Sequence, residues 1–475
     1  MREIVFFLFF TLSFGTLWAQ EKITTVNNTQ GEIHPWSKNV RYWQYKGEPV
    51  LLLGGSNTDH LFLADDLLTQ LDEIKKCGGN FVRNTMSQRE GRELKPYALI
   101  NDSIFDLNKW NEEYWKKFQN MLKWTNERDI IVQIEVWDRF DYSQKFWETS
   151  PWNPRLNINY SYEEVGFDEK YPLHPSKDVH PFFHSIPGMP KYYKKLDLIY
   201  KYQEAFVTKM LSYSLKYGNI LYCMNNETTT NALWGQYWID FIKTKAEKQG
   251  VSVCTTDMFD DVYKGKESLS APTIFNDGVH YTFADISQVN SRNFDDKHFH
   301  ELEWLIEQVN KTYQRPCNNV KIYGGNYSNF GSGGLEDGVE RFWRDLFGGS
   351  AGVRFHRPPT GNGLNGRAEA SIRAVRLLES QMKLWELNPH MELLSDRLPN
   401  EAYLAARLGE KYALYFTNAG SVGLDLTKYK GTFTIKWISI TEGKWYNEEK
   451  IQGGAIATIT APFKGGWVAA LTRDN

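Results

Sequence analysis

The chain has only four cysteines among 475 residues, Cys77, Cys223, Cys254 and Cys317, and none shows CxxC spacing. That spacing excludes the common cysteine-built zinc sites. Buried free thiols are the expected state, with a bridge as the alternative in an exported protein. No strand-like run passes straight into a GxGxxG or GxxxxGKS turn, so a nucleotide-phosphate site is not expected. No GxSxG lies between a strand and a following helix, which removes the usual nucleophile elbow. No HExxH occurs. The formal net charge is only −3, giving no overall attraction to nucleic acid or anionic membrane. Beyond the N-terminus no apolar run is long enough to span a bilayer.

Aromatic residues, by contrast, are abundant: 15% of the chain, with 17 Trp and 26 Tyr. Two readings follow, an aromatic-rich core or a cleft whose rings face the apolar sides of sugars. The N-terminus, "MREIVFFLFFTLSFGTLWAQ", has one Arg, a short apolar run and the small residue Ala19. It reads as a signal peptide over residues 1–19, predicting export to a periplasm or beyond. No Cys stands near the cleavage point, so no lipid anchor is expected.

From there apolar strand-like runs alternate with amphipathic helical segments. Examples are "PVLLLGG", "NFVRNTM", "IIVQIEVW", "ILYCMNN", "VSVCTT", "PTIFNDGVHYT", "NNVKIYGG" and "SAGVRFHRP". Eight such strands, most followed by a helix, predict an α/β fold, an eight-stranded (β/α)8 TIM barrel over residues 20–390. A doubly wound sheet is the alternative. One connection is abnormal: 138–190, after the third strand, is long, aromatic and Pro-rich, and is expected to be a structureless functional loop over the C-terminal face of the barrel. From Met391 the pattern changes to short alternating strands, predicting a small all-β sandwich over 391–475. Packing against the barrel is its expected role, with carbohydrate binding as the alternative.

On a barrel, polar residues just beyond the strand ends carry the chemistry. These are Ser56, Asn57, Asp59 and His60; Arg83 and Asn84; Glu135, Trp137 and Asp138; Asn226 and Glu227; Asp257; Asp277 and His280; Asn326 and Tyr327; His356 and Arg357. A packed barrel needs none of them.

Asn226-Glu227 at the end of the fourth strand, the arginine after the second, and the strand count together resemble the clan GH-A glycoside hydrolases. The closing "AGVRFHRP" and the tail "WYNEEK…PFKGGWVAALTR" resemble bacterial apiosidase-like hydrolases with a collagen-binding-like C-terminal domain. The resemblance implies Glu227 as general acid/base and Asn226 as a sugar contact. The residues support this independently: Glu227 emerges from the apolar "ILYCM", and desolvation raises a carboxyl toward the range of an acid working near neutral pH. The clan's second carboxylate, a Glu ending the seventh strand, is missing: Gly324, Gly325 and Asn326 stand there, and the next carboxylates are Glu336 and Asp337. The expected substitutes are Asp257 and Glu135, and a set-back carboxylate favours inversion.

Arg83, Arg139, His280, His356 and Arg357 suggest an acidic sugar near the cleaved bond, since an Arg fork matches carboxylate or sulfate. The opposing reading is that Arg83 and Arg357 hold active-site carboxylates in place. No metal is expected, because "NTDHLF" lacks the HxH that barrel metallohydrolases carry after the first strand, and no cofactor is expected. The sequence therefore predicts an exported glycoside hydrolase acting, by exo-attack, on a complex plant or algal oligosaccharide or polysaccharide. The partner is that glycan, not nucleic acid. The rival is a catalytically silent glycan-binding barrel. A lyase is a third possibility, and the oligomeric state is not legible.

Overall fold

Short apolar runs, each closed by glycine or a polar residue, set the architecture. The structure is a computed structural model and describes residues 31–87, 94–290, 293–328 and 330–474. The proposed signal peptide lies outside them.

Eight parallel strands form the central sheet: β1 (Leu52–Gly55), β2 (Phe81–Thr85), β3 (Ile131–Asp138), β4 (Ile220–Asn226), β5 (Cys254–Thr256), β6 (Ala284–Asp285), β7 (Cys317–Ile322) and β8 (Gly352–Phe355). Their order is β5-β4-β3-β2-β1-β8-β7-β6, so β8 closes onto β1. The seam between β5 and β6 is joined by side chains instead of a ladder. Thr255 N donates to Thr282 Oγ1 at 2.8 Å, Thr255 Oγ1 to the His280 carbonyl at 2.6 Å, and Asp285 N to Thr256 Oγ1 at 3.2 Å. Threonine suits such a seam because it has a β-branched body and a hydroxyl that both donates and accepts.

Helices α1 (Leu67–Lys76), α2 (Glu112–Glu127), α3 (Asp197–Ser214), α4 (Leu233–Glu247), α5 (Ala271–Asn276), α6 (Asp295–Thr312), α7 (Leu335–Phe347) and α8 (Gly366–Gln381) follow the eight strands in turn. The fold is the predicted (β/α)8 barrel with a C-terminal β domain. Among the described residues no helix is long and apolar enough to cross a membrane.

Two segments differ from expectation. "PTIFNDGVHYT" is not the sixth strand: Ala271–Asn276 is helical, opened by Pro272 in its first turn, and the strand is the two-residue Ala284–Asp285. Proline fits a first helical turn, where its missing N–H is not needed. The connection after β3 is not structureless either. It carries short helical turns at Arg139–Tyr142, Gln144–Glu148, Pro154–Leu156, Tyr162–Val165 and Pro181–His184. Its aromatics are buried, including Tyr142, Trp147, Trp152 and Phe182, with the Tyr142 and Phe182 rings 4.1 Å apart. Much of the aromatic surplus thus extends the core that the barrel shares with its helices.

The tail forms a six-stranded antiparallel sheet facing a three-stranded one. In Ala402–Arg407, Ala402, Leu404 and Ala406 join the sandwich core, while Tyr403 and Ala405 join the core shared with α7 and α8. The period of two therefore buries both faces of this strand. Trp343 of α7 stacks on Tyr415, ring centroids 5.6 Å apart.

Candidate active site

The mouth of the barrel is wired by charged groups that reach across it. Arg83, wholly buried on β2, donates to Glu135 through Nε (2.5 Å) and Nη2 (2.6 Å), to Asp59 through Nη1 (2.5 Å) and to Asn226 Oδ1 through Nη2 (3.0 Å). Arg357 Nε adds a bond to Asp59 Oδ2 at 2.8 Å. Burial alone would raise the Asp59 carboxyl, but Arg83, Arg357 and Arg354 outweigh it and hold Asp59 well below the usual carboxylate range. Burial raises Glu135, with Arg83 opposing. The forks of Arg83 and Arg357 are therefore engaged by carboxylates of the protein itself, as the holding role predicts.

Glu227 follows β4 with φ +58°, a left-handed backbone unusual for glutamate. From β7, Lys321 reaches over to it: Nζ stands 2.5 Å from Glu227 Oε1 and 2.6 Å from Asn226 Oδ1. Asn226 Nδ2 donates to Asp138 Oδ2 at 3.1 Å. Asn226 is thus a junction joining β2, β3 and β7, and it shares the Lys321 ammonium with Glu227.

The seventh strand could not have offered the missing carboxylate at Gly324. That residue has φ +112°, and an added Cβ would meet the Gly338 backbone nitrogen at 2.2 Å. Backbone packs on backbone there, which only glycine permits. Glu336 lies on α7 and pairs with Arg367, and Asp337 pairs with Arg341 and Arg344. β7 instead contributes Lys321, a cation inside an apolar run.

Of the two expected substitutes, Glu135 is clamped by Arg83. Asp257 accepts from Asn225 N (3.0 Å), Asn225 Nδ2 (2.9 Å) and Met258 N (2.9 Å). Its Oδ2 lies over Gly235 of α4, where an added Cβ would come within 2.1 Å. Burial pushes Asp257 up to about 7, but its side chain packs toward the helix layer.

The other expected residues make contacts of their own or are exposed. His280 precedes β6 and bonds Asp277, Nδ1 to Oδ2 at 2.6 Å. Asn84 Oδ1 accepts from Phe62 N at 3.1 Å. Trp137 packs among Phe206, Trp234 and Trp238 of α3 and α4. His356 is buried against Tyr323, and its imidazolium is strongly disfavoured by burial and the neighbouring arginines. Asn326 and Tyr327 are exposed just beyond β7, and Phe330, also exposed, contacts Tyr323.

Asp260, which the sequence reading does not single out, and Arg139, which it does, act on one another here. Beyond β5 the chain continues beside the Glu227 loop: Thr228 N donates to the Met258 carbonyl at 2.7 Å and Asp260 N to the Thr228 carbonyl at 3.0 Å. Asp260 is half-buried and pushed up to about 6, first by burial and then by the charge of Glu227, against Lys321 and Arg139. Arg139 is wholly buried over the Phe183 ring (4.6 Å), and among the described residues no hydrogen bond is made at any of its guanidinium nitrogens. Burial lowers it to about 10, while Asp178, Asp257 and Asp260 favour its charge.

Near-matches to excluded motifs prove structural. Gly361–Gly366 has GxGxxG spacing before α8, but Asn365 caps that helix, accepting from Arg367 N and Ala368 N. Gly348-Gly349-Ser350-Ala351-Gly352 has GxSxG spacing but leads into β8, not out of a strand. His298 and His300 both lie on α6. Among the described residues no group of three or more His, Cys, Asp or Glu could hold a metal.

No family model matches the sequence, and no curated protein matches it. Solved structures do match. A glycoside hydrolase of family 5 from Bacteroides vulgatus ATCC 8482 aligns with TM-score 0.59 at 13% identity, covering 94% of this chain and 93% of that one. Another glycoside hydrolase aligns with TM-score 0.59 at 12% identity, covering 94% and 98%. The likeness spans both domains and is one of fold.

Proposed function

We propose that this protein hydrolyses O-glycosidic bonds in a complex plant or algal glycan, with Glu227 as one of its two reacting carboxylates. The observation that carries this reading is the Glu227 site itself: a left-handed, partly exposed glutamate at the end of β4, fixed through Asn226 and Lys321, in a barrel shared with glycoside hydrolases. Such a carboxylate is what cleavage of an acetal requires. The exposed rings of Tyr327 and Phe330 favour a sugar ligand, whose apolar face stacks on aromatic groups.

Sequence reasoning gives Glu227 the acid's part. Lys321 argues otherwise, because an ammonium beside a carboxylate stabilises the charged form. The finer expectations enter as part of this proposal: export through the N-terminal signal, exo-attack beneath the long connection after β3, and closer kinship with apiosidase-like enzymes. An acidic sugar finds little support in Arg83 and Arg357, which are engaged, or in Arg139, which is wholly buried. The rival, a silent glycan-binding barrel, draws on the missing β7 carboxylate.

The test is release of reducing sugar from a panel of neutral and acidic plant and algal glycans. Product from the wild type and none from Glu227→Gln supports the proposal. Binding without product by the wild type supports the rival.

A further inference from the structure

We infer that Asp260 is the proton donor of this site and that Glu227, held by Lys321, is the base. The inference rests on the hydrolase reading above and reverses the roles that sequence reasoning assigns.

The geometry comes first. The backbone pairing of β4 and β5 continues past both strands through a bridge between Thr228 and Phe259. That bridge and the bond from Asp260 N to the Thr228 carbonyl hold Asp260 beside the residue that follows Glu227. Among the described residues the Asp260 carboxylate accepts no hydrogen bond, in contrast to the neighbouring Asp257 and Asp261. Asp257 is tied to Asn225, and Asp261 accepts from Ser268 Oγ and Leu269 N. A half-buried carboxyl that accepts no hydrogen bond is free to turn toward a leaving oxygen, whereas Asp257 is held by its donors.

The charges then separate the two groups. Asp260 faces Glu227 from β4, Lys321 from β7, Arg139 from the connection after β3, and Asp261 in its own loop. Burial and the two carboxylates favour its neutral form, and the two cations oppose them. Glu227 has the ammonium in direct contact, at 2.5 Å. Two carboxyls whose surroundings push them apart are the pattern by which acid and base divide their tasks.

The step balances as follows. Asp260 gives its proton to the leaving oxygen as the bond from that oxygen to the anomeric carbon breaks, the electron pair staying with the oxygen. Glu227 takes a proton from a water whose oxygen bonds to the same carbon. Asp260 ends as carboxylate and Glu227 as acid, and exchange with solvent restores both.

The experiment compares Asp260→Asn and Glu227→Gln on a panel of neutral and uronic aryl glycosides of both anomers. Each sugar is tested with a 2,4-dinitrophenyl group, which leaves without a proton, and with a methyl group, which does not. We expect Asp260→Asn to lose about 10²–10⁴-fold in kcat/KM on methyl glycosides, but under about tenfold on dinitrophenyl glycosides. Glu227→Gln should lose about 10²–10⁴-fold on both. Asp260→Ala, read in the same way, serves if the Asn variant misfolds. The opposite pattern, with Glu227→Gln rescued by dinitrophenyl and Asp260→Asn inactive on both, overturns the inference and leaves the hydrolase reading standing. So does an Asp260→Asn variant of full activity on methyl glycosides. No release by the wild type from any member defeats the hydrolase reading and this inference together.

Discussion

Lys321 Nζ stands 2.5 Å from Glu227 Oε1, a contact between β7 and the end of β4 across the barrel mouth. The strand expected to bring a second carboxylate brings a cation instead. Replacing Lys321 with Met removes charge from both carboxyls of the site. Glu227 loses its partner, and Asp260 loses the larger of the two cationic influences that oppose its protonation. The expected result is a loss of about 10–100-fold in kcat/KM, with destabilisation of about 1–3 kcal/mol from the unpaired buried groups. Steady-state kinetics and thermal unfolding check the two parts.

Arg83 and Arg357 both serve Asp59, but unequally. Arg83 is wholly buried and bonds three side chains; Arg357 is partly exposed and gives Asp59 one bond. Arg83→Met leaves Asp59 and Glu135 buried without their main partner, at a cost of about 3–5 kcal/mol. Arg357→Ala should cost less than about 1.5 kcal/mol. Denaturant unfolding compares them. Because Asp59 is held low in the fold, its stabilisation is complete above its unfolded value of about 3.9 and is lost as pH falls through the lower, folded value.

Asp257 is engaged by Asn225 and Met258 and lies over Gly235. Asp257→Asn should therefore leave kcat/KM within about threefold of wild type, since its carboxylate is committed to these partners. Gly235→Ala, which drives a Cβ into the Asp257 carboxylate, should destabilise the fold by about 1–3 kcal/mol.

Asp260 is pushed up to about 6. As proton donor it works in the protonated form, so kcat/KM should fall above pH 6, about tenfold per unit. Arg139 opposes that protonation. Arg139→Met should move the basic limb to higher pH, while Asp257→Asn leaves it in place. A pH–rate profile of the three proteins reads this directly.

The barrel was legible because its strands are continuous apolar runs and its helices carry apolar residues at helical spacing. Glu227 and Asn226 stood out as polar residues ending such a run. The sixth strand is not legible in the sequence, because "PTIFN" is apolar without being extended and a two-residue strand closed by threonine hydroxyls leaves almost no pattern. Asp257 drew attention as the first carboxylate after β5, yet the one whose amide bonds the Glu227 loop is three residues on. That depends on where the chain bends, which periodicity does not encode. Lys321 carried a signal that could have been used: a lysine inside "NNVKIYGG" must find a negative partner once buried. The arginines were visible, but only geometry separates Arg83, whose fork is filled, from Arg139, whose fork is empty.

The most direct test of the account is product formation by the wild type and by Glu227→Gln on the same glycan panel, with binding measured in parallel by calorimetry. The account predicts release of sugar by the wild type, and binding without release by the variant. Release at the wild-type rate by Glu227→Gln, or binding without release by both proteins, would contradict it.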